Sequence, residues 1–240
     1  MMLIRTALLV VLLAIGLPAW CEESPAAGNT QDTSGTQQIN DGYRLLITRK
    51  PREAIEIFER VAASYEERFK DDNARFFSAR TQTESLVYLM ETAASKKGSA
   101  KVVSANWAYA YYLKAYALVE LGNIAEAKPS LERALALSPR NSQFLAELGN
   151  IYQREKDWKS AQGTFELAEA AAKEFSPPDV KNVELSRAWR GLGYVYIEQN
   201  RLDDAEGMYR RCLELDKNDA RALNELRYIE KLRLKQSAPQ

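Results

Sequence analysis

From about Asp41 onward, apolar positions recur with a period near 3.6 residues between polar and charged ones. Strand-favouring residues are present but do not alternate in short runs, so the pattern predicts an all-α chain. Asn73 to Ala94 is predicted as one long helix with Phe76, Phe77, Leu86, Tyr88, Leu89 and Met90 on its apolar side. Ala220 to Leu234 is predicted as another, striped by Leu223, Leu226, Ile229 and Leu232. Before Asp41 the pattern breaks. Residues 22–38 are rich in Ser, Ala, Gly, Thr and Gln, show no apolar period, and read as a flexible linker. Residues 1–21 combine Arg5, the apolar run Ala7 to Leu17, the helix breaker Pro18 and Ala19-Trp20-Cys21, which is the layout of a secretory signal peptide.

Within the periodic region the chain repeats itself. Ala115, Gly149 and Gly193 align as small residues in a first helix, with Leu118, Tyr152 and Tyr196 three positions later. Ala127, Ala161 and Ala205 follow, then Leu131, Phe165 and Tyr209, then Ala134, Ala168 and Cys212. Units therefore run over 108–141, 142–175 and 186–219, the first two in a 34-residue period. Ten extra residues, 176–185, precede the third and contain Pro177-Pro178, which ends the preceding helix. Upstream, Gly42, Leu45, Ala54, Phe58 and Val61 fit a worn fourth unit over about 35–68, inside an N-terminal helical region, 39–107. Each unit is too small to bury its apolar side alone, so neighbours must stack. Small residues mark close helix approaches, which makes Cys212 core filler by register rather than a reactive thiol.

These positions resemble the tetratricopeptide repeat family over Ala108 to Asp219, with Trp189, Leu192-Gly193, Tyr196, Ala205 and Tyr209 of the third unit nearest to its pattern. The resemblance implies a right-handed superhelical solenoid of helix-turn-helix repeats, with residues 220–234 as a C-terminal capping helix. It also implies that the first helix of each unit lines a concave groove through its second, fifth, ninth and twelfth positions. On this chain those positions hold Tyr109, Tyr112, Tyr116 and Val119, then Gln143, Ala146, Asn150 and Gln153, then Arg187, Arg190, Tyr194 and Ile197. The candidate partner-binding residues are Tyr109, Tyr112, Tyr116, Asn150, Gln153, Arg187, Arg190 and Tyr194; packing on the 73–94 helix is the competing role for the three tyrosines of the first unit. Some members of the family clamp a partner's C-terminal carboxylate, but here Tyr112 and Tyr116, Glu147 and Gly191 stand where the clamp has Lys and Asn, Asn, and Arg. That clamp is not expected.

Composition narrows the chemistry. There is no histidine, which removes Ser-His-Asp and Cys-His catalysis and nearly all imidazole metal sites. Lys+Arg and Asp+Glu both number 33, so no basic stripe points to nucleic acid. Carboxylate neighbours such as Asp203-Asp204 and Glu66-Glu67 have the spacing of ordinary charged helix faces. No glycine-rich phosphate loop, CxxC pair or metal spacing occurs. The expectation is a non-enzymatic, cofactor-free scaffold that binds a protein or peptide, with a structural, self-associating subunit of an outer-membrane or secretion assembly as the alternative. The leader's apolar run is shorter than the roughly 18–20 residues a spanning helix needs. Cleavage after Cys21 predicts a periplasmic protein with no membrane span; the alternatives are a retained N-terminal anchor, which Pro18 opposes, and acylation of Cys21. The last resembles a lipobox except that Trp20 replaces the small residue before the cysteine.

Overall fold

The computed structural model describes residues 32–96 and 98–237. Their elements are α1 (Thr33–Ile47), α2 (Pro51–Phe69), β1 (Arg75–Ser78), α3 (Gln82–Ser95), β2 (Ala100–Val103), α4 (Ala105–Glu120), α5 (Ile124–Leu137), α6 (Ser142–Arg154), α7 (Trp158–Phe175), α8 (Pro178–Glu198), α9 (Leu202–Leu215) and α10 (Ala220–Ser237). Four helix pairs, α1–α2, α4–α5, α6–α7 and α8–α9, stack in chain order; α2 packs on α4, α7 on α8, and α10 on α9. The molecule is an all-α solenoid of helix-turn-helix repeats, with one short two-stranded addition.

The four pairs share one backbone design. At the end of each first helix Arg49, Gly122, Lys156 and Asn200 take φ values of 62°, 80°, 59° and 59°. The N–H groups of the residues that follow, Lys50, Asn123, Asp157 and Arg201, donate to the carbonyls of Leu45, Leu118, Tyr152 and Tyr196, five positions back. This left-handed cap satisfies carbonyls that the ending helix leaves open. Glycine takes it without strain, whereas a side chain crowds the next carbonyl.

Side-chain packing repeats as well. Gly42, Gly149 and Gly193 each face the ring sixteen positions on, Phe58, Phe165 and Tyr209, and Ala115 and Leu131 stand in the same register. A Cβ on Gly42, Gly149 or Gly193 would lie 2.4, 2.8 or 2.7 Å from the facing ring. Where the small residue is alanine, the partner is the smaller Leu131, so the bulk of one helix is matched to the gap in the other. Residues 35–68 keep this register in full. In α10 the equivalent positions hold Arg227 and Glu230 instead of a small and an apolar residue.

Two expectations are corrected. Residues 33–38 are not linker but the first turns of α1: the Asp32 side chain accepts from the Gly35 N–H at 2.9 Å, and Asn106 Nδ2 donates to Thr36 Oγ1 at 3.0 Å. Residues 22–31 and the leader lie outside the described residues. The helix expected over 73–94 starts only at Gln82, behind the Thr81 cap, whose side chain accepts from the Glu84 N–H at 3.1 Å. Ahead of it Arg75–Ser78 is extended and pairs in parallel with Ala100–Val103, so that Phe77 lies beside Val102.

This insertion is fixed to the repeats at several places. The Ser138 hydroxyl donates to the Ser78 carbonyl, and the Arg140 N–H donates to the Tyr88 hydroxyl at 3.1 Å. Arg80 reaches Glu184 in a buried ion pair, 2.6 Å between Nη1 and Oε1 and 3.4 Å between Nη2 and Oε2. Glu184 belongs to the extra residues 176–185 and also accepts from the Ser176 hydroxyl. The two segments outside the repeat pattern thus bind each other.

Candidate functional site

The first helices α1, α4, α6 and α8, with α10 after them in the same register, carry the positions that the family resemblance assigns to a groove. Its candidate residues divide into three groups. Tyr109 and Tyr112 are only 2% and 4% exposed. Tyr109 meets Phe144 edge-on at 5.3 Å between ring centroids, and Tyr112 stacks on Phe144 at 4.7 Å. Burial pushes the Tyr109 hydroxyl up to about 12. These two tyrosines join unit to unit, and the expectation that they face a partner is corrected. Both pack on Phe144 of the next unit, and Tyr109 also lies within electrostatic reach of Arg80 and Glu84, in the 73–94 segment that the competing role named.

A second group is engaged in structural bonds. Gln153 Nε2 donates to the Gly191 carbonyl at 3.0 Å, and Arg190 pairs with Asp219 at 2.7 Å. Asp219 also caps α10, accepting from the N–H groups of Arg221 and Ala222 at 3.0 and 3.1 Å. Burial works against the charge of Arg187, yet Tyr112, Glu147 and Glu184 outweigh it and raise its pKa above the ordinary value. The clamp arginine is sterically excluded: a Cβ at Gly191 would lie 2.3 Å from the Phe165 ring, which is wedged between Gly149 and Gly191.

The third group lies at the ninth position. Tyr116, Asn150 and Tyr194 occupy it in α4, α6 and α8, and extending the register adds Tyr43 of α1 and Tyr228 of α10. Four tyrosines and one asparagine therefore form a ladder across five successive first helices. Tyr43 and Tyr116 are half-buried and packed against the core, Asn150 is half-buried, and Tyr194, its ring beside that of Trp158, and Tyr228 are 43% and 48% exposed. Burial, then Glu120 and Glu147, push the Tyr116 hydroxyl up to about 12, with Tyr43 adding to the shift. Burial raises Tyr194, followed by Glu198, Glu225 and Tyr228. Sequence reasoning missed Tyr43 and Tyr228 because it counted groove positions only in the three clear units; carrying the same count one unit outward finds both.

Catalytic and metal chemistry find little here. Glu67 pairs with Lys70, Glu66 with Arg133, Asp204 with Arg201 and Asp203 with Arg233. Among the described residues no three His, Cys, Asp or Glu side chains gather to hold a metal ion. Cys212 is buried, its Sγ 3.6 Å from the Ser186 carbonyl, and burial pushes its thiol up to about 11. No described helix is long and apolar enough to cross a membrane.

Comparison with known proteins agrees with this geometry. Tetratricopeptide repeat family models match residues 108–141 and 141–218. Cellulose synthase operon protein C of Escherichia coli K12 is 28% identical over 111 residues, which is 45% of this chain and 10% of that protein. The chain thus spans about a tenth of the length of the curated relatives it matches. Among solved structures, PilF of Pseudomonas aeruginosa aligns with a TM-score of 0.58 at 16% identity, covering 85% of this chain and 71% of that one. MamA of Desulfovibrio magneticus RS-1 aligns with a TM-score of 0.54 at 17% identity, covering 85% and 88%. At such identities they show a shared fold. Residues 108–218 belong to the tetratricopeptide repeat family, whose repeats serve as protein–protein interaction scaffolds, and the chain is a tetratricopeptide repeat protein.

Proposed function

We propose that this protein is a non-enzymatic scaffold that holds a segment of another protein on the face formed by its first helices. The observation that carries the reading is the ninth-position ladder. Tyrosine offers a large, stiff contact area with a polar tip, and is enriched where interfaces bind most tightly. Four of them stand in one register of a fold that buries Tyr109, Tyr112, Tyr88 and Tyr209; Tyr194 and Tyr228 are exposed, and Tyr43 and Tyr116 are half-buried against the core. We place the protein at the bacterial cell envelope, exported to the periplasm. The leader-like residues 1–21 and the similarity to cellulose synthase operon protein C support that location.

The test is a random-peptide display selection against the intact protein, repeated on Tyr116→Ala, Tyr194→Ala and Tyr228→Ala variants. Peptides that bind the parent and lose at least about tenfold in affinity, roughly 1.4 kcal/mol, on the variants support the reading. Peptides indifferent to all three substitutions refute it.

A further inference from the structure

We infer that the joint between the α4–α5 and α6–α7 pairs is a hinge, and that the insertion, residues 75–103, clasps it shut. The inference stands on how the repeats pack and is independent of what the ladder holds.

The joints between successive pairs are not alike. Where α1–α2 meets α4–α5, α2 lies along α4 and the first helices α1 and α4 also touch. Where α6–α7 meets α8–α9, α7 lies along α8 and α6 touches α8. Between α4–α5 and α6–α7 the contact is α5 with α6, looser than α2 with α4 or α7 with α8. The backbones of α4 and α6 do not approach each other as those of α6 and α8 do. Rings fill that space, with Tyr109 and Tyr112 of α4 reaching Phe144 of α6. The buried core divides at the same place. One cluster joins α1, α2, α4 and α5 to Phe144 and Ile151; the other begins with Leu145 and Ala146 of α6 and continues through α7 to α10. In a stack of repeats each unit is held by its neighbours, so two bodies move against each other most easily at the joint with the least packing.

The insertion crosses this joint. It lies in the chain between α2 and α4, and so belongs to the first body. In the turn between α5 and α6, the Ser138 hydroxyl and the Arg140 N–H hold it through the Ser78 carbonyl and the Tyr88 hydroxyl. Past the joint, Arg80 pairs with Glu184 of α8 at 2.6 Å, both side chains buried. Arg140 makes a second crossing: its guanidinium meets Glu91 of α3 and lies over the Phe175 ring of α7, 4.9 Å from the centroid. The first body is therefore tied to α8 directly, beyond its nearest neighbour. The remaining polar bonds across the joint run between adjacent units. The Gln143 amide donates to the Tyr112 hydroxyl at 3.0 Å, and Lys128 meets Glu155 at 2.8 Å at the ends of α5 and α6 remote from the clasp. With the clasp closed the two bodies keep one angle; with it open they swing about the α5–α6 contact. Tyr43 and Tyr116 stand on one body and Asn150, Tyr194 and Tyr228 on the other, so the clasp also sets how far apart these two sets lie.

The experiment measures distances between paired spin labels in the full chain carrying Cys21→Ser and Cys212→Ala. Labels at Arg52→Cys and Glu132→Cys report within the first body, and labels at Glu132→Cys and Glu214→Cys report across the joint; all three positions are exposed. In the parent each pair should give one narrow distribution. In Arg80→Met with Glu184→Leu the distribution across the joint should broaden at least about twofold, as a freed hinge does, while the pair within the first body keeps its parental width. Circular dichroism equal to the parent's shows that the repeats remain folded. If the double variant loses helix, Tyr88→Phe, which removes the hydroxyl that accepts from Arg140, carries the test with the same direction of change. A parental width across the joint in the folded variant overturns the inference, because the joint is then rigid without its clasp. Equal broadening of both pairs also overturns it, since the loosening is then general and not confined to a hinge.

Discussion

Breaking the bond between the two insertions is the perturbation whose size the structure fixes best. The Arg80 and Glu184 side chains are 4% and 7% exposed, joined by two hydrogen bonds. Arg80→Met leaves the Glu184 carboxylate buried without its hydrogen-bonded cation, facing the Ser176 hydroxyl and the more distant charge of Arg187. Removing one partner of a buried pair costs about 3–5 kcal/mol. Glu184→Gln is milder, about 1.5–3 kcal/mol, because Glu84 also acts on the Arg80 charge. For a chain of this size about 1 kcal/mol moves Tm by about 2–4 °C, so Arg80→Met should lower it by about 6–20 °C. Arg80→Met with Glu184→Leu should cost less than the two single changes together, since it removes both buried charges. Urea melts give the energies, and hydrogen exchange gives the place: residues 75–103 should lose protection ahead of the helix pairs. Single variants within about 0.5 kcal/mol of the parent, the level of an exposed ion pair, would show that the insertions are not latched together.

Other consequences follow from the repeat design. Gly191→Ala should destabilise by about 1–3 kcal/mol in a urea melt, because its Cβ would meet the Phe165 ring at 2.3 Å; an unchanged midpoint contradicts the wedged ring. Lys156→Gly, at φ 59°, should stabilise by about 1 kcal/mol, and Asn200→Gly by less, since asparagine tolerates that backbone better. With Cys21 changed to Ser, Cys212 should resist alkylation at pH 8 in the folded protein and react promptly in denaturant. Its thiol, pushed up to about 11, would form thiolate about a hundredfold less often than an ordinary cysteine, and fast native labelling would contradict its burial.

The repeats were legible because they are written in residue size. Gly149 with Phe165 and Gly193 with Tyr209 stand out in the sequence as a small residue and a ring at one fixed spacing, and in the fold each ring lies against its glycine. The worn unit kept the same signature in Gly42 and Phe58. The insertion was not legible for a physical reason. Its strands are four residues each, too short for alternation to show, and the apolar Phe76 and Phe77 fit a helical stripe as well as a strand. Arg80 and Glu184 lie 104 positions apart, and nothing local marks either as a buried ion. Among the groove residues, position gave the register but not the depth. Tyr109, Tyr112 and Tyr116 read alike, and the burial of the first two is set by residues of the next unit, Phe144 foremost, with Gln143 on the Tyr112 hydroxyl. The α1 cap at Asp32 escaped because the polar residues around it resemble linker.

On this reading the ladder, and not another surface, receives the partner. Aromatic and amide chemical-shift mapping of the protein against a peptide from the display selection tests it most directly. A partner held on the ladder should give saturable shifts at Tyr43, Tyr116, Asn150, Tyr194 and Tyr228, with the second helices α2, α5, α7 and α9 unmoved. Shifts centred on those second helices or on α3, with the ladder silent, would contradict it.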